Sequence, residues 1–240
     1  MADTPTRSAN WDVRRRISPG RFAWSPLRSP ILALVRTGIL GGTFDPIHIG
    51  HLHAGETALH QAGLDQVLFI PAGDPWQKLG RRVSATEHRL EMVRLATVGV
   101  DGFRADDREA TREGLTYTVD TLATFPEAEE LFLILGADAA LHLPTWKRYQ
   151  EVLDRVTVLV VPRSGTDSAA VAEILPDSVF LGMAMLEVSG SEIRAMARTG
   201  SPFRFLVSDV VHRYIVENNL YAEAGRADMV EGPTDMEEPS

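Results

Sequence analysis

The stretch Gly41-Gly42-Thr43-Phe44-Asp45-Pro46-Ile47-His48-Ile49-Gly50-His51 holds the most concentrated chemistry in the chain. Its paired glycines let a ligand come close to backbone N–H groups, and Asp45-Pro46 favours a turn. His48 and His51 stand three residues apart, so a helix starting near Ile47 puts both rings on one face of its first turn. A helix N-terminus offers N–H donors and the positive end of a dipole, which suits phosphate. Two imidazoles add donors there, and bound phosphate favours their charged forms. Arg194 is a second anion-binding candidate, on the first turn of a helix opened by Ser189–Ser191. One histidine in such a turn could be an ordinary loop residue. Two of them in a glycine-rich strand-to-helix turn point to phosphate.

Other signatures fail. The chain has no Gly-Lys dipeptide, so no Walker A loop, and the first turn lacks Gly-x-Gly-x-x-Gly. His-Glu-x-x-His is absent too. His51, His53 and Glu56 could be drawn as metal ligands, but His51 and His53 point to different sides of a helix. Cysteine is absent, which removes disulfides, cysteine zinc sites, iron–sulfur clusters and thiol nucleophiles, and fits a reducing compartment.

The elements that must carry this turn alternate. Near-continuous apolar strands are expected at Leu34–Leu40, Val67–Pro71, Phe103–Asp107, Leu131–Leu135, Val156–Val161 and Val179–Leu181. Helices are expected at Gly50–Gln61, Thr86–Val98, Thr118–Phe125, Trp146–Leu153, Ser191–Arg198 and Val207–Asn218. Ser84 or Thr86 could cap the second helix. All-apolar strands alternating with helices indicate an α/β fold, a parallel sheet with helices on both faces. In such a sheet the ligand lies beyond the carboxyl ends of the strands, at a topological switch point.

The 240 residues suit one large domain or two small ones, and the formal charge of −9 is the wrong sign for a general nucleic-acid binder. The ends differ from the middle. Residues 1–36 carry seven arginines against Asp3 and Asp12, a formal +5, with no visible period. The Arg14–Arg16 run followed by Ile31–Val35 invites an export-signal reading, but the apolar stretch is short and no small-residue cleavage site follows. A disordered basic extension is the expectation for 1–36. Residues 223–240 read as an acidic, disordered tail, leaving 37–222 as the folded domain. No apolar run is long enough to span a bilayer, so a cytoplasmic protein without membrane partners is expected.

Five segments in order resemble the bacterial nicotinate-nucleotide adenylyltransferase family, within the nucleotidyltransferases that carry a His-x-Gly-His motif. They are GGTFDPIHIGH (Gly41–His51), FIPAGDPWQK (Phe69–Lys78), TYTVDTL (Thr116–Leu122), GADAALHLPTWKRY (Gly136–Tyr149) and VSGSEIR (Val188–Arg194). The likeness covers about Thr37 to Tyr221. Two departures stand out: Trp76-Gln77 replaces the family's Pro-His pair, and Gly190 replaces a common Ala, which is expected to matter little.

The resemblance implies a Rossmann-like nucleotidyltransferase fold and transfer of the adenylyl group of ATP to nicotinate mononucleotide. Residue by residue it implies catalytic roles for His48, His51 and Arg194. ATP would be lined by Gly41, Gly42, Thr43, Phe44, Gly136, Asp138, Ser191 and Ile193, with Asp138 on ribose hydroxyls. Lys78 would steer phosphate, and Thr43, Tyr117, Thr118 and Trp146 would hold the mononucleotide, the last three around its ring. Mg²⁺ would arrive with the ATP phosphates, with no protein ligand; Asp45 tempts, but a turn role beside Pro46 suits it better. Bland alternatives remain for several: Asp138 as a helix N-cap, Trp146 as core, Lys78 as a solvated loop lysine, Arg194 as an exposed helix arginine. The competing functions are a phosphopantetheine adenylyltransferase or cytidylyltransferase of the same superfamily, and a non-catalytic nucleotide-binding regulator. A nucleic-acid binder would have only the arginine-rich arm behind it. Oligomeric state is open, a homo-oligomer being allowed.

Overall fold

The structure, a computed structural model, describes residues 34–73 and 83–222. The expectations for the basic arm before residue 34, for the acidic tail, and for Trp76, Gln77 and Lys78 lie outside the described residues.

Six strands form one parallel sheet in the order β3-β2-β1-β4-β5-β6. They are β1 (Arg36–Gly42), β2 (Gln66–Pro71), β3 (Phe103–Ala105), β4 (Glu130–Gly136), β5 (Val156–Val161) and β6 (Val179–Phe180). Strand order reverses between β1 and β4, which pair directly, so the crevice at their carboxyl ends is the switch point.

Side chains of the sheet divide by the strand's period of two. Leu40, Phe69, Phe132, Ile134 and Leu159 share a core with α1 (Ile49–Gln61), α2 (Thr86–Thr97), α7 (Gly190–Thr199) and α8 (Asp209–Glu217). Ile39, Leu68, Ile70, Leu133, Leu135, Val158 and Val160 share the other with α3 (Thr118–Leu122), α4 (Ala137–Leu141), α5 (Tyr149–Arg155) and α6 (Ser168–Ile174). Both faces of the central strands are therefore dry, and that is why they read as uninterrupted apolar runs.

The structure corrects several local expectations. The cap of α2 is Ala85, with no side-chain bond; Thr86 Oγ1 instead accepts from Arg89. The helix expected from Trp146 starts at Tyr149. Residues Leu143–Thr145 form a short 3-10 turn with Pro144 in it, Trp146 is extended, and Arg148 is left-handed at φ 52°. α4 was expected only as the alternative in which Asp138 caps a helix, and α6 was not expected; it is capped by Asp167, which accepts from the Ala169 N–H.

Candidate active site

The turn after β1 runs into α1, and its backbone takes its shape from a few side chains. Phe44 is left-handed at φ 49° and its ring is buried in the core, where it meets His51 edge-on at 4.9 Å. The Asp45–Pro46 peptide is cis. His48 is the N-cap of α1 in extended backbone, and its carbonyl takes the N–H groups of His51 and Leu52. The two imidazoles stack with centroids 3.7 Å apart and planes inclined by 23°. A Cβ at Gly50 would lie 3.2 Å from the His48 ring, so glycine there leaves that ring its room.

The two histidines differ electrically. His51 Nδ1 accepts the His48 backbone N–H at 3.2 Å, so the neutral ring carries its proton on Nε2. His48 is only 3% exposed, and burial, followed by the charge of Arg163, pulls its pKa down to about 4. It is neutral at pH 7 in this state, and the charged form expected with bound phosphate has to be gained on binding. Its Nδ1 is buried with no hydrogen-bond partner among the described residues. A buried polar nitrogen in that position is costly unless something completes it. Gly41 lies at the exposed end of β1, and a Cβ there would meet nothing within 4 Å, which leaves its backbone open to approach.

Arg194 reaches the same turn from α7. Its Nη1 donates to the Asp45 carbonyl at 2.6 Å, its Nη2 donates to Ser191 Oγ at 3.3 Å, and the Asp45 carboxylate is 3.8 Å away. Asp45 is itself buried, accepting from Tyr221 Oη at 2.8 Å and from the Ser84 N–H at 3.3 Å. Ser189 caps α7, accepting from the Glu192 N–H. A Cβ at Gly190 would stand 2.8 Å from the Asp45 carbonyl oxygen. Alanine there would need a backbone shift, so the expectation that this position matters little is corrected. Ile193 is fully buried and packs in the core beneath α7.

Gly136 ends β4 across the switch point and is the N-cap of α4, which makes Asp138 a first-turn residue and not the cap. The Asp138 carboxylate is exposed and lies 3.9 Å from Arg163 Nε. Arg163, after β5, is a cation the sequence reading missed. Farther along, Tyr117 is the N-cap of α3, Thr118 its first residue, and Trp146 follows the short 3-10 turn before α5. Tyr117 and Trp146 pack on the same core, and Trp146 Nε1 is buried without a partner among the described residues. Lys147 Nζ sits 4.1 Å above the Tyr117 ring and 3.3 Å from Asp120.

A cytidylyltransferase-like family model matches residues 39–196. A relative from Desulfitobacterium hafniense, named "probable nicotinate-nucleotide adenylyltransferase", is 39% identical over 78% of this chain and 95% of its own length. One of the same name from Corynebacterium kroppenstedtii is 41% identical over 80% of this chain and 93% of its own. The chain belongs to the nicotinate-nucleotide adenylyltransferase family. The fold agrees. The nicotinic acid mononucleotide adenylyltransferase of Plasmodium falciparum, solved with NaAD, superposes with a TM-score of 0.67 at 17% identity, covering 78% of this chain and 97% of that one. In this adenylyltransferase-family chain the match takes in the switch point, the His48–His51 pair and the first turn of α7. No helix among the described residues is long and apolar enough to cross a membrane.

Proposed function

We propose that the protein transfers the adenylyl group of ATP to nicotinate mononucleotide, giving nicotinate adenine dinucleotide and pyrophosphate, as a step of NAD biosynthesis. The observation that carries the chemistry is the stacked His48–His51 pair on the first turn of α1, at the switch point between β1 and β4. The choice of mononucleotide rests on the family to which the chain belongs.

A phosphate oxygen of the mononucleotide attacks the α-phosphorus of ATP. The new O–P bond forms as the bridge to the β-phosphate breaks, and pyrophosphate leaves with the electron pair. The nucleophile is already an anion, so no base is needed. What the protein must do is hold two polyanions in line and meet the charge that moves to the leaving group. His51 Nε2–H supplies a donor whose direction is set by the bond at Nδ1. The His48 ring takes up a proton when phosphate arrives and adds its charge beside the His51 donor. Arg194 adds a fixed charge, and Gly41–Phe44 offer backbone groups to both nucleotides. Asp138 is suited to ribose hydroxyls, and Ser191 lies with Arg194 at the start of α7. Tyr117, Thr118 and Trp146 form the ring pocket, where the unpartnered indole N–H is one more donor.

Magnesium supplies charge neutralisation on the ATP phosphates in this reading. Among the described residues no group of three or more His, Asp or Glu could hold a metal ion. The Asp45 carboxylate is engaged by Tyr221 and Ser84 and faces Arg194. Phosphate oxygens and waters would hold the ion. The lack of cysteine and the dependence on ATP suit a cytoplasmic setting.

The experiment is a steady-state assay of pyrophosphate release by the purified protein with ATP and each of nicotinate and nicotinamide mononucleotide. Release with neither would refute the reading and favour a nucleotide-binding regulator.

A further inference from the structure

Among the described residues Arg89 is the largest side chain that the fold buries completely, at 1% exposure. It lies on the first turn of α2, outside every segment whose spacing suggested chemistry. Each of its five N–H donors has an acceptor. Nε donates to the Ser84 carbonyl at 3.0 Å. Nη1 donates to the carbonyls of Thr43 at 2.9 Å and Ala72 at 2.6 Å. Nη2 donates to the Gly73 carbonyl at 2.9 Å and to Thr86 Oγ1 at 2.8 Å. Four of the five acceptors are main-chain oxygens. They belong to three separate pieces of chain: the turn after β1, the segment after β2, and the approach to α2.

A main-chain acceptor cannot swing away as a side chain can, so each bond fixes a stretch of backbone. The planar guanidinium presents its donors in a rigid fork, whereas a lysine would offer three from a single, strongly hydrated nitrogen. One group thus sets the spacing between Thr43, inside the Gly41–Phe44 turn, and Ala72–Gly73 at the end of the neighbouring strand. It acts on the other anion site as well. Arg89 holds the Ser84 carbonyl, the Ser84 N–H holds the Asp45 carboxylate, and the Asp45 carbonyl holds Arg194.

We infer that Arg89 is a positioning residue for adenylyl transfer: its guanidinium sets the distance between the turn after β1 and the neighbouring loops, and so the alignment of the two phosphates that react. The inference rests on the proposed function. It does not place Arg89 against either nucleotide. Its effect should fall on turnover, because each nucleotide keeps its own contacts while their mutual alignment is lost. Misplacement of about 1 Å costs on the order of 10² in rate.

The test compares wild type, Arg89→Lys, Arg89→Ala and Thr86→Val by circular dichroism, melting temperature and steady-state kinetics in both substrates. For folded Arg89→Lys the expected result is a kcat lower by at least about 30-fold, with each KM changed less than about threefold. In Arg89→Ala, added ethylguanidinium should restore part of kcat, and ethylammonium at equal ionic strength should not. Wild-type kcat in a folded Arg89→Lys would overturn the inference, as would equal rescue by both cations or a loss that merely follows the unfolded fraction. If neither Arg89 variant folds, Thr86→Val decides. It removes one acceptor of the fork, so a severalfold fall in kcat at nearly unchanged melting temperature supports the inference and an unchanged kcat overturns it. A wild type inactive with both mononucleotides would sink the proposed function instead, which keeps the two failures apart.

Discussion

Tyr221 donates its hydroxyl hydrogen to Asp45 Oδ1 at 2.8 Å, across a sequence separation of 176 residues. Burial, with the Asp45 carboxylate beside it, pushes the tyrosine's pKa upward, so the phenol keeps its proton and stays a donor. Asp45 is thereby held between the segment after α8 and Arg194 on α7. Tyr221→Phe leaves a buried carboxylate one donor short, and a hydrogen bond to a charged group contributes about 1.5–3 kcal/mol. The variant is expected to melt several degrees lower and to lose about tenfold in kcat/KM for ATP, because Arg194 leans on the same residue. Thermal denaturation and an ATP titration check both. An unchanged profile would mean that Asp45 holds its place without the phenol.

His51→Ala removes the donor whose direction is fixed by His48. One lost donor to developing charge costs about 10²–10³ in rate. Turnover should fall by at least about 10² in a folded variant, measured as pyrophosphate release at saturating substrates. Near-normal turnover would take His51 out of the mechanism.

His48 makes stability depend on pH. Its pKa is about 4 in the fold against an ordinary value of 6.5, so between these values the unfolded chain binds more protons. Stability therefore rises with pH across this window and is lost on acidification. At pH 5 the loss relative to pH 7 is about 2 kcal/mol from this group. His48→Gln should show a flatter acid limb in denaturant titrations than wild type. ATP should also flatten it, because bound phosphate favours the charged ring.

Gly190→Ala tests the close approach of α7 to the turn after β1. The added Cβ stands 2.8 Å from the Asp45 carbonyl oxygen, which is also an acceptor for Arg194. Overpacking of this kind costs about 1–3 kcal/mol. A lower melting temperature together with a lower kcat/KM is expected. Wild-type values of both would show that α7 can shift freely.

The ring pocket predicts selectivity. A carboxylate takes hydrogen bonds about twice as strong as a neutral amide does, and the amide's NH₂ would face donors and leave some unpaired. At least about 10²-fold preference in kcat/KM for nicotinate over nicotinamide mononucleotide is expected. Trp146→Ala should weaken both substrates while keeping much of that preference. Equal use of the two by wild type would point to a pocket that does not read charge.

The sheet was legible because its central strands are buried on both faces, so Leu131–Leu135 and Val158–Val161 appear as bare apolar runs. The helix expected from Trp146 was misjudged because Pro144 and the left-handed Arg148 break the spacing that Trp146, Tyr149 and Leu153 suggest. The helices α4 and α6 are too short to show a period. The His48–His51 pair could be read from sequence because one helical turn brings the two residues together. Arg89 could not. An arginine within TEHRLEMVRLAT reads as a solvent-facing charge, and its acceptors are carbonyls of loops whose meeting no local pattern records. The turn role of Asp45 was legible beside Pro46, but its partners were not, since Tyr221 and Arg194 reach it from far along the sequence.

The strand order has a consequence for synthesis on the ribosome. β1 is made some 90 residues before β4, yet one of its flanks pairs with β4, Arg36 opposite Glu130 and Ile39 opposite Leu133. Until residues past 136 have emerged, that flank is an unpaired apolar edge of the kind that invites pairing with other chains. The turn that holds His48 and His51 waits longer still, because Arg194 and then Tyr221 must arrive before Asp45 is held. The nascent chain would carry its phosphate-binding motif from the turn after β1 onward and acquire a settled active site only once Tyr221 has emerged.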